Sequence, residues 1–136
     1  MKNKIMCLII FVLFGCKEKS TEPVSRNQFK KGTYSGQYIY TQNGVSDTGT
    51  AEISFQDTSY NCKPLQTQYL LSGSGVYNVV GDTIEIKDLL VRVALYYTAL
   101  VMNGKFAYSA NGNRLVLIQE SESKNVVKKF ELTLTN

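Results

Sequence analysis

The chain contains no histidine and no tryptophan, and only two of its 136 residues are proline. The absence of histidine excludes the common zinc and copper sites, and it removes the general base that serine and cysteine nucleophiles most often use. Asp82, Glu85 and Asp88 lie close together in the sequence, but their spacing does not match a calcium-binding EF-hand loop. The sequence therefore predicts a protein that is not an enzyme and that holds no metal or other cofactor.

The beginning of the chain has the regions of an export signal. A short basic start, Met1–Lys4, precedes an uninterrupted apolar run, Ile5–Phe14. This run is too short to span a bilayer, which needs about 20 residues, and its length is typical of a signal peptide. The run ends in Leu13-Phe14-Gly15-Cys16, which resembles the lipobox of bacterial lipoproteins.

The resemblance implies that residues 1–15 are a cleaved signal peptide and that the thiol of Cys16 carries a lipid. The alternative is an ordinary secretory signal in which Cys16 has no special role. Two or more acyl chains anchor a protein stably, so the membrane is the first expected partner. In some Gram-negative lipoproteins, aspartate after the cysteine favours the inner membrane. The residue here is Lys17, and we expect the outer membrane, with its periplasmic or surface face left open.

The charge of the chain is low once the leader is set aside. The formal net charge of +4 includes Lys2 and Lys4, which belong to the leader. The basic residues that follow form only two doublets, Lys30-Lys31 and Lys128-Lys129. Nucleic-acid binding requires a clustered basic stripe, so the sequence predicts no nucleic acid as a partner.

The remaining chain divides into a tether and one domain. Residues 16–30 are polar after the cysteine and have no apolar period, which predicts a lipidated cysteine followed by a flexible tether. Residues 31–136 then form the domain. Its single cysteine is Cys62, so no disulfide can form within the domain. We expect a buried thiol, and an intermolecular disulfide is the alternative.

Alternation of apolar and polar residues predicts strands from Gly32 onward, and Asn-Gly and Gly-Asp pairs predict the turns between them. The segment 89–102 is apolar almost throughout, and its β-branched and aromatic residues favour a turn near 89–93 and then a strand over a helix. The predicted strands are Thr33–Thr41, Thr48–Gln56, Ser59–Lys63, Gln68–Val80, Thr83–Lys87, 95–102, Lys105–Ser109, Arg114–Glu120 and Val126–Thr135.

These strands and short connections predict an all-β fold, an antiparallel up-and-down barrel of about eight strands. A strongly curved β-sandwich is the alternative. Gly73 and Gly75 are two residues apart and share one face of a strand, where glycine often marks a bend or a close approach of another segment. A barrel of this size is either filled by side chains or holds one small ligand.

Two segments have a recognisable pattern of turns and strands. One runs from Gly73-Ser74-Gly75-Val76-Tyr77 through Gly81-Asp82-Thr83-Ile84-Glu85-Ile86-Lys87-Asp88. The other joins Leu100-Val101-Met102-Asn103-Gly104-Lys105-Phe106-Ala107-Tyr108 to Asn111-Gly112-Asn113-Arg114-Leu115-Val116-Leu117. Both resemble the middle of small lipocalin-like bacterial lipoproteins, a group of no settled activity. The resemblance implies a barrel over most of residues 33 to 135, and a cavity by analogy.

Tyrosine is abundant, with nine copies, and several tyrosines fall on one face of a predicted strand. Such a face either lines a ligand site or forms core with the hydroxyl groups at the rim. The candidate ligand-lining residues are Tyr34, Tyr38, Tyr40, Tyr77 and Tyr108, and Tyr69, Tyr96 and Tyr97 can join them.

Two functions are compatible with this sequence. The first is a binding module that holds a small apolar or amphipathic ligand at the mouth of the barrel. The second is a protein-interaction module, either an inhibitor of a hydrolase or an accessory subunit of an envelope complex. A cavity favours the first, and an exposed apolar patch over a filled interior favours the second.

Overall fold

A computed structural model describes residues 28–66, 69–92, 101–122 and 125–135. Eight antiparallel strands follow one another around a closed barrel, and β1 pairs with β8 to complete it. The prediction of an all-β antiparallel barrel is confirmed, and pairing of the first strand with the last excludes the open sandwich. The strands are β1 Gly32–Gln42, β2 Val45–Gln56, β3 Ser59–Gln66, β4 Gly73–Val80, β5 Thr83–Asp88, β6 Gly104–Asn111, β7 Arg114–Ser121 and β8 Val126–Leu134.

Some of the sequence-based predictions lie outside the described residues. These are the signal peptide at residues 1–15, the lipidation of Cys16, the tether as far as residue 27, and Tyr96 and Tyr97. Within the described part of the chain, no helix is long and apolar enough to cross a membrane.

The predicted turns at Asn43-Gly44 and Gly81-Asp82 are confirmed, and the turn predicted at Asn111-Gly112 lies one residue later, at Gly112-Asn113. Asn43 and Gly44 both have positive φ angles, 52° and 80°, which is the backbone of the two-residue turn that matches the twist of a hairpin. This turn joins β1 to β2 with Gln42 opposite Val45 and Tyr40 opposite Asp47. The register of the longest hairpin is therefore fixed by the turn sequence.

The predicted hairpin at Asn103-Gly104 is wrong. Residues 101–103 are not in a strand, and the rest of the strand predicted before them lies outside the described residues. Gly104 begins β6 and lies opposite Ile86 of β5, so β6 pairs with β5 instead. The side-chain oxygen of Asn103 accepts the N–H of Asp88 at 3.1 Å, which fixes the start of β6 beside the end of β5.

Alternate residues of the strands point into the barrel and form one apolar core, which Leu70 and Met102 join from the connections between strands. Their side chains are almost completely removed from solvent. The core comprises Tyr34, Tyr38, Tyr40, Ala51, Ile53, Phe55, Tyr60, Cys62, Leu70, Tyr77, Ile84, Ile86, Met102, Phe106, Leu115, Leu117, Val126, Phe130 and Leu132.

The barrel has two different ends, because consecutive strands run in opposite directions. The tight turns after β2, β4 and β6 and the start of β1 lie at one end, which we call the base. The connections after β1, β3, β5 and β7 lie at the other end, which we call the mouth.

Phe29 fills the base. Its ring makes edge-on contacts with Phe55, Tyr77 and Tyr108, with centroids 5.2, 5.9 and 5.9 Å away. The sequence placed Phe29 in the tether, yet it packs against the core. The folded unit therefore begins before residue 31, and the chain enters the barrel at its base.

Candidate functional site

The five candidate tyrosines are distributed along the barrel and do not form one site. Tyr34, Tyr77 and Tyr108 lie at the base with Phe29 and Phe55. The hydroxyl of Tyr34 donates to the carbonyl of Lys30 at 2.7 Å, so it binds the chain as it enters the barrel.

The side chain of Tyr38 fills the middle of the barrel. Its ring lies 4.7 Å from the ring of Phe130, which in turn contacts Phe106 at 6.1 Å. These rings and Met102 are fully buried. A ligand therefore cannot share this level of the barrel with them, and space for one must lie nearer the mouth.

Tyr40 is the candidate that reaches the mouth, where it lines an open cleft of about 180 Å³. Its ring stacks on the ring of Tyr69, with centroids 5.5 Å apart and planes within 7° of parallel. The cleft is lined by Tyr40, Gln42, Val45, Ser46, Asp47 and Tyr69.

The β1–β2 hairpin builds one wall of the cleft. Tyr40, Gln42, Val45 and Asp47 lie on its inner face, since residues that pair across strands share a face. The hairpin reaches beyond its neighbour, because pairing between β2 and β3 ends at Thr50. In the described chain, the β2 arm of the tip therefore has no second strand beside it, whereas the β1 arm stays paired with β8 as far as Gln42.

Hydrogen bonds hold the polar groups of this wall. The hydroxyl of Tyr40 donates to Oε1 of Gln42 at 3.4 Å. On the opposite face of the hairpin, Ser46 Oγ lies 2.7 Å from Thr41 Oγ1. Oδ1 of Asp47 accepts the N–H of Thr48 at 2.7 Å. Stacked rings beside an amide and a carboxylate can bind a ligand that has both an apolar face and polar groups.

A partly buried hydrogen bond supports the opposite wall. The hydroxyl of Tyr38 donates to the carbonyl oxygen of Tyr69 at 3.2 Å, which holds the segment at residue 69 over the barrel. Burial, followed by the nearby Tyr40 and Cys62, raises the pKa of Tyr38 above its ordinary range. The hydroxyl of Tyr38 therefore keeps its proton for this bond at neutral pH.

A second polar cluster lies at the mouth around Asp88. Its Oδ1 accepts the N–H of Ser74 at 3.1 Å and the N–H of Leu90 at 3.4 Å. Arg92 forms an ion pair with its Oδ2 and also donates to the carbonyl of Ser72. Desolvation raises the pKa of Asp88, but the bonds from Arg92, Ser74 and Leu90 outweigh it and leave that pKa below its usual value.

The hydroxyl of Tyr60 joins this cluster to the core. It lies 3.2 Å from Oδ1 of Asp88 and 3.0 Å from the carbonyl oxygen of Met102, so its single proton has two acceptors. Burial and the charge of Asp88 raise the pKa of Tyr60. Nζ of Lys128, also buried, donates to the carbonyl of Val101 at 2.7 Å. These bonds attach the described part of the β5–β6 connection to the barrel wall.

Exposed apolar side chains surround the mouth beside these clusters. Leu89, Leu90 and Val91 follow β5, and Val91 is 99% exposed. Leu65 is the extra residue of the irregularity between Thr50 and Ala51, and it is also exposed. We call these four residues the apolar rim.

The one cysteine of the described chain is buried, as predicted. Cys62 faces the core from β3. Burial, with a smaller effect of Asp88, raises the pKa of its thiol to about 12. Over the described ranges, no three histidine, cysteine, aspartate or glutamate side chains come together to hold a metal ion.

Sequence reasoning identified Tyr40 and Tyr69 but missed Gln42, Val45 and Asp47, which it assigned to a turn and to the approach to β2. The turn sequence was sufficient to predict that these residues share a face with Tyr40. A two-residue turn at Asn43-Gly44 places Gln42 opposite Val45 and Tyr40 opposite Asp47, so all four share a face.

Comparison of the chain with protein-family models, with curated proteins and with solved structures found no match. The candidate site therefore rests on the geometry of this chain.

Proposed function

We propose that this chain is a lipid-anchored lipoprotein of the bacterial envelope whose lipocalin-like barrel binds a small amphipathic ligand at its mouth. The observation that carries the proposal is the cleft between Tyr40, Tyr69 and Asp47, which combines stacked rings with a carboxylate. The cleft measures about 180 Å³, below the roughly 300 Å³ at which drug-sized ligand pockets begin. A small ligand therefore fits better than a fatty acyl chain.

The position of the cleft agrees with a lipid anchor on Cys16. The chain enters the barrel at the base, beside Phe29, and the cleft lies at the opposite end. An anchor that precedes the base leaves the mouth accessible. The lipobox-like Leu13-Phe14-Gly15-Cys16 and the Lys17 that follows support attachment to the outer membrane.

Metabolic labelling with an alkyne analogue of palmitate tests the anchor. The full-length chain should incorporate label and fractionate with the outer membrane, and Cys16→Ser should abolish both. Cys7→Ser and Cys62→Ser are matched controls, because each removes one of the other two cysteines of the sequence. Label that persists in Cys16→Ser would contradict the lipid anchor.

Native mass spectrometry tests ligand binding. The chain beginning at Lys17, sprayed together with a concentrated small-molecule extract of its own envelope, should carry a reproducible added mass in the range of small metabolites. Tyr69→Leu should lose this added mass, and Tyr108→Phe, changed at the base, should keep it. An unliganded chain, or an adduct that is indifferent to Tyr69, would contradict binding at the mouth.

The apolar rim favours a second function, docking of an envelope protein such as a hydrolase or a subunit of a complex. Exposed Leu89, Leu90 and Val91 next to a filled interior match the expectation for an interaction module. Affinity capture from the native envelope compares Val91→Ser with Val80→Ser, an exposed valine near the base. Docking at the rim requires that a captured protein is lost with the first variant and kept with the second.

A further inference from the structure

The chemistry of the cleft defines the class of its ligand more closely. Tyr69 is 37% exposed, with its ring parallel to that of Tyr40 at 5.5 Å. One aromatic surface is therefore presented at the mouth, backed by a second ring that holds it in position. A flat apolar face of a ligand can stack on such a surface, because the negative face of the ring attracts the positive edge of C–H bonds.

Polar groups stand beside this aromatic surface. Asp47 offers a carboxylate whose two oxygens accept about four hydrogen bonds, of which the N–H of Thr48 takes one. The amide of Gln42 is oriented by the hydroxyl of Tyr40, which bonds to Oε1 and leaves the NH₂ group as a donor. Donors and acceptors held in place in this way reduce the entropic cost of binding.

We propose that the cleft binds a single neutral pyranose sugar residue. A pyranose presents C–H bonds on its face and hydroxyl groups around its edge, and the cleft presents a ring face with an amide and a carboxylate at its margin. The volume of about 180 Å³ corresponds to roughly six water molecules, enough for one sugar ring. Asp47 of β2 and Lys128 of β8 both lie opposite Tyr40 and carry opposite charges, so the cleft favours a neutral sugar over an acidic one. This inference rests on the proposed ligand site and names its ligand class.

An alkylammonium ion is the competing ligand class, since cations bind both aromatic faces and carboxylates. Sites for quaternary ammonium groups surround the cation with several ring faces. Here the two rings are parallel and stacked on each other, so they do not enclose a cation. The geometry favours a flat ligand that covers one ring.

The test uses the ¹⁵N-labelled chain beginning at Lys17, which contains the whole closed barrel. Methyl β-glucopyranoside, methyl N-acetyl-β-glucosaminide and tetramethylammonium chloride are titrated separately and followed by NMR. We expect saturable shifts of Tyr40–Asp47 and Tyr69 with a pyranoside, and a Kd on the order of 1 mM for so small a ligand. Saturation transfer should mark the C–H protons of the sugar.

Substitutions at two exposed residues test the ligand site without disturbing the fold. Tyr69→Leu and Asp47→Ala should each weaken pyranoside binding about five- to tenfold, while Tyr69→Phe retains the ring and the affinity. Tyr108→Phe at the base is the matched control and should bind like the parent chain. Binding that is equally strong in Tyr69→Leu and Asp47→Ala would overturn the assignment.

Failure of the sugar inference can be distinguished from failure of the proposed function. If neither pyranoside binds, or if tetramethylammonium alone shifts the cleft residues, the sugar inference is overturned. An added mass in native spectra that depends on Tyr69 would still support a ligand at the mouth. If that mass is also absent, the proposed function fails with it.

Discussion

Phe29 and Phe55 pack edge to face at the base of the barrel, with ring centroids 5.2 Å apart and planes at 84°. Phe29 precedes the first strand, so a residue outside the sheet completes the core. Tyr34 strengthens this arrangement by binding the carbonyl of Lys30. The entering chain is thereby fixed to the end of the barrel opposite the cleft.

We expect Phe29→Ala to destabilise the fold. Burial of a phenylalanine side chain contributes about 3–5 kcal/mol when complete, and Phe29 is partly buried, so a loss of about 2 kcal/mol is expected. Urea denaturation of the chain from Lys17 measures the change in the free energy of unfolding. Val45→Ala is the control, since Val45 is exposed at the hairpin tip and should change stability by less than about 0.5 kcal/mol.

The hydroxyl groups of Tyr77 and Tyr34 should have opposite effects on stability. The buried hydroxyl of Tyr77 has no hydrogen-bond partner within the described structure, whereas Tyr34 donates to Lys30 at 2.7 Å. Removing an unsatisfied buried group is favourable, and removing a satisfied one loses a bond. Tyr77→Phe should therefore stabilise the barrel by about 1 kcal/mol, and Tyr34→Phe should destabilise it by a similar amount. Thermal and urea denaturation of both variants check the signs, and destabilisation by Tyr77→Phe would contradict the structure.

Asp88 should make the barrel sensitive to acid. Its pKa is lowered in the folded state, so the unfolded chain binds more protons at low pH. The contribution of Asp88 is fully present above the unfolded pKa of about 3.9 and is lost as the pH falls through the lower folded pKa. Asp88→Asn should cost about 2 kcal/mol at pH 7, because Arg92 loses its charged partner.

The difference between Asp88→Asn and the parent chain should shrink as the pH falls below about 4. Urea denaturation at pH 7, 5 and 3 measures it. Asp57→Asn is a matched control, because Asp57 pairs with Lys31 at 3.7 Å but is 100% exposed. Its substitution should have little effect at any of these pH values, since exposed ion pairs contribute little. A constant difference for Asp88→Asn at all three pH values would argue against the lowered pKa.

Most of the strands could be predicted from the sequence, because a strand and a tight turn are recognised from residues that are neighbours in the chain. Alternation in β2, β7 and β8 and the Asn43-Gly44 turn need only neighbouring residues to be recognised. Which strand pairs with β6 could not be predicted in this way, because it depends on residues far apart in the sequence. Asn103-Gly104 is the same dipeptide as the turn Asn43-Gly44, but in the closed barrel Gly104 lies beside Ile86 of β5, which is distant in the sequence.

For the candidate site, too, the sequence predicted the local features and not those that depend on the closed barrel. Tyr34, Tyr38 and Tyr40 were correctly placed on one face of β1, since alternation determines the face. Alternation does not determine which level of a barrel each residue occupies. That level follows from the direction of the strand and from Phe29, which closes the base and leaves Tyr40 near the open end.

Gly75 should tolerate no side chain. A Cβ atom at this position would lie 2.0 Å from the backbone oxygen of Lys87, on the neighbouring strand β5. Backbone cannot move aside as a flexible side chain does, so Gly75→Ala should cost about 3 kcal/mol. At Gly44 a Cβ meets nothing within 4 Å, and its φ angle of +80° gives Gly44→Ala a strain cost of about 1 kcal/mol. Equal unfolding free energies for the two variants would contradict the close approach of β4 and β5.

The thiol of Cys62 should be unreactive while the barrel is folded. Burial raises its pKa to about 12, and reaction with a disulfide reagent requires the thiolate. A chain beginning at Lys17 has no other cysteine, so the thiol signal at pH 8 belongs to Cys62 alone. Ellman's reagent should react slowly in buffer and rapidly in denaturant, and Cys62→Ala should react in neither.

The raised pKa also predicts a loss of stability in alkali. An unfolded thiol ionises near pH 8.5, so the unfolded state releases its proton before the folded state does. The contribution of Cys62 is complete below that pH and falls as the pH rises towards the folded value of about 12. The parent chain should therefore lose more stability than Cys62→Ala between pH 8 and pH 10. Rapid modification of the folded chain, or a disulfide-linked dimer on a non-reducing gel, would show that Cys62 is accessible.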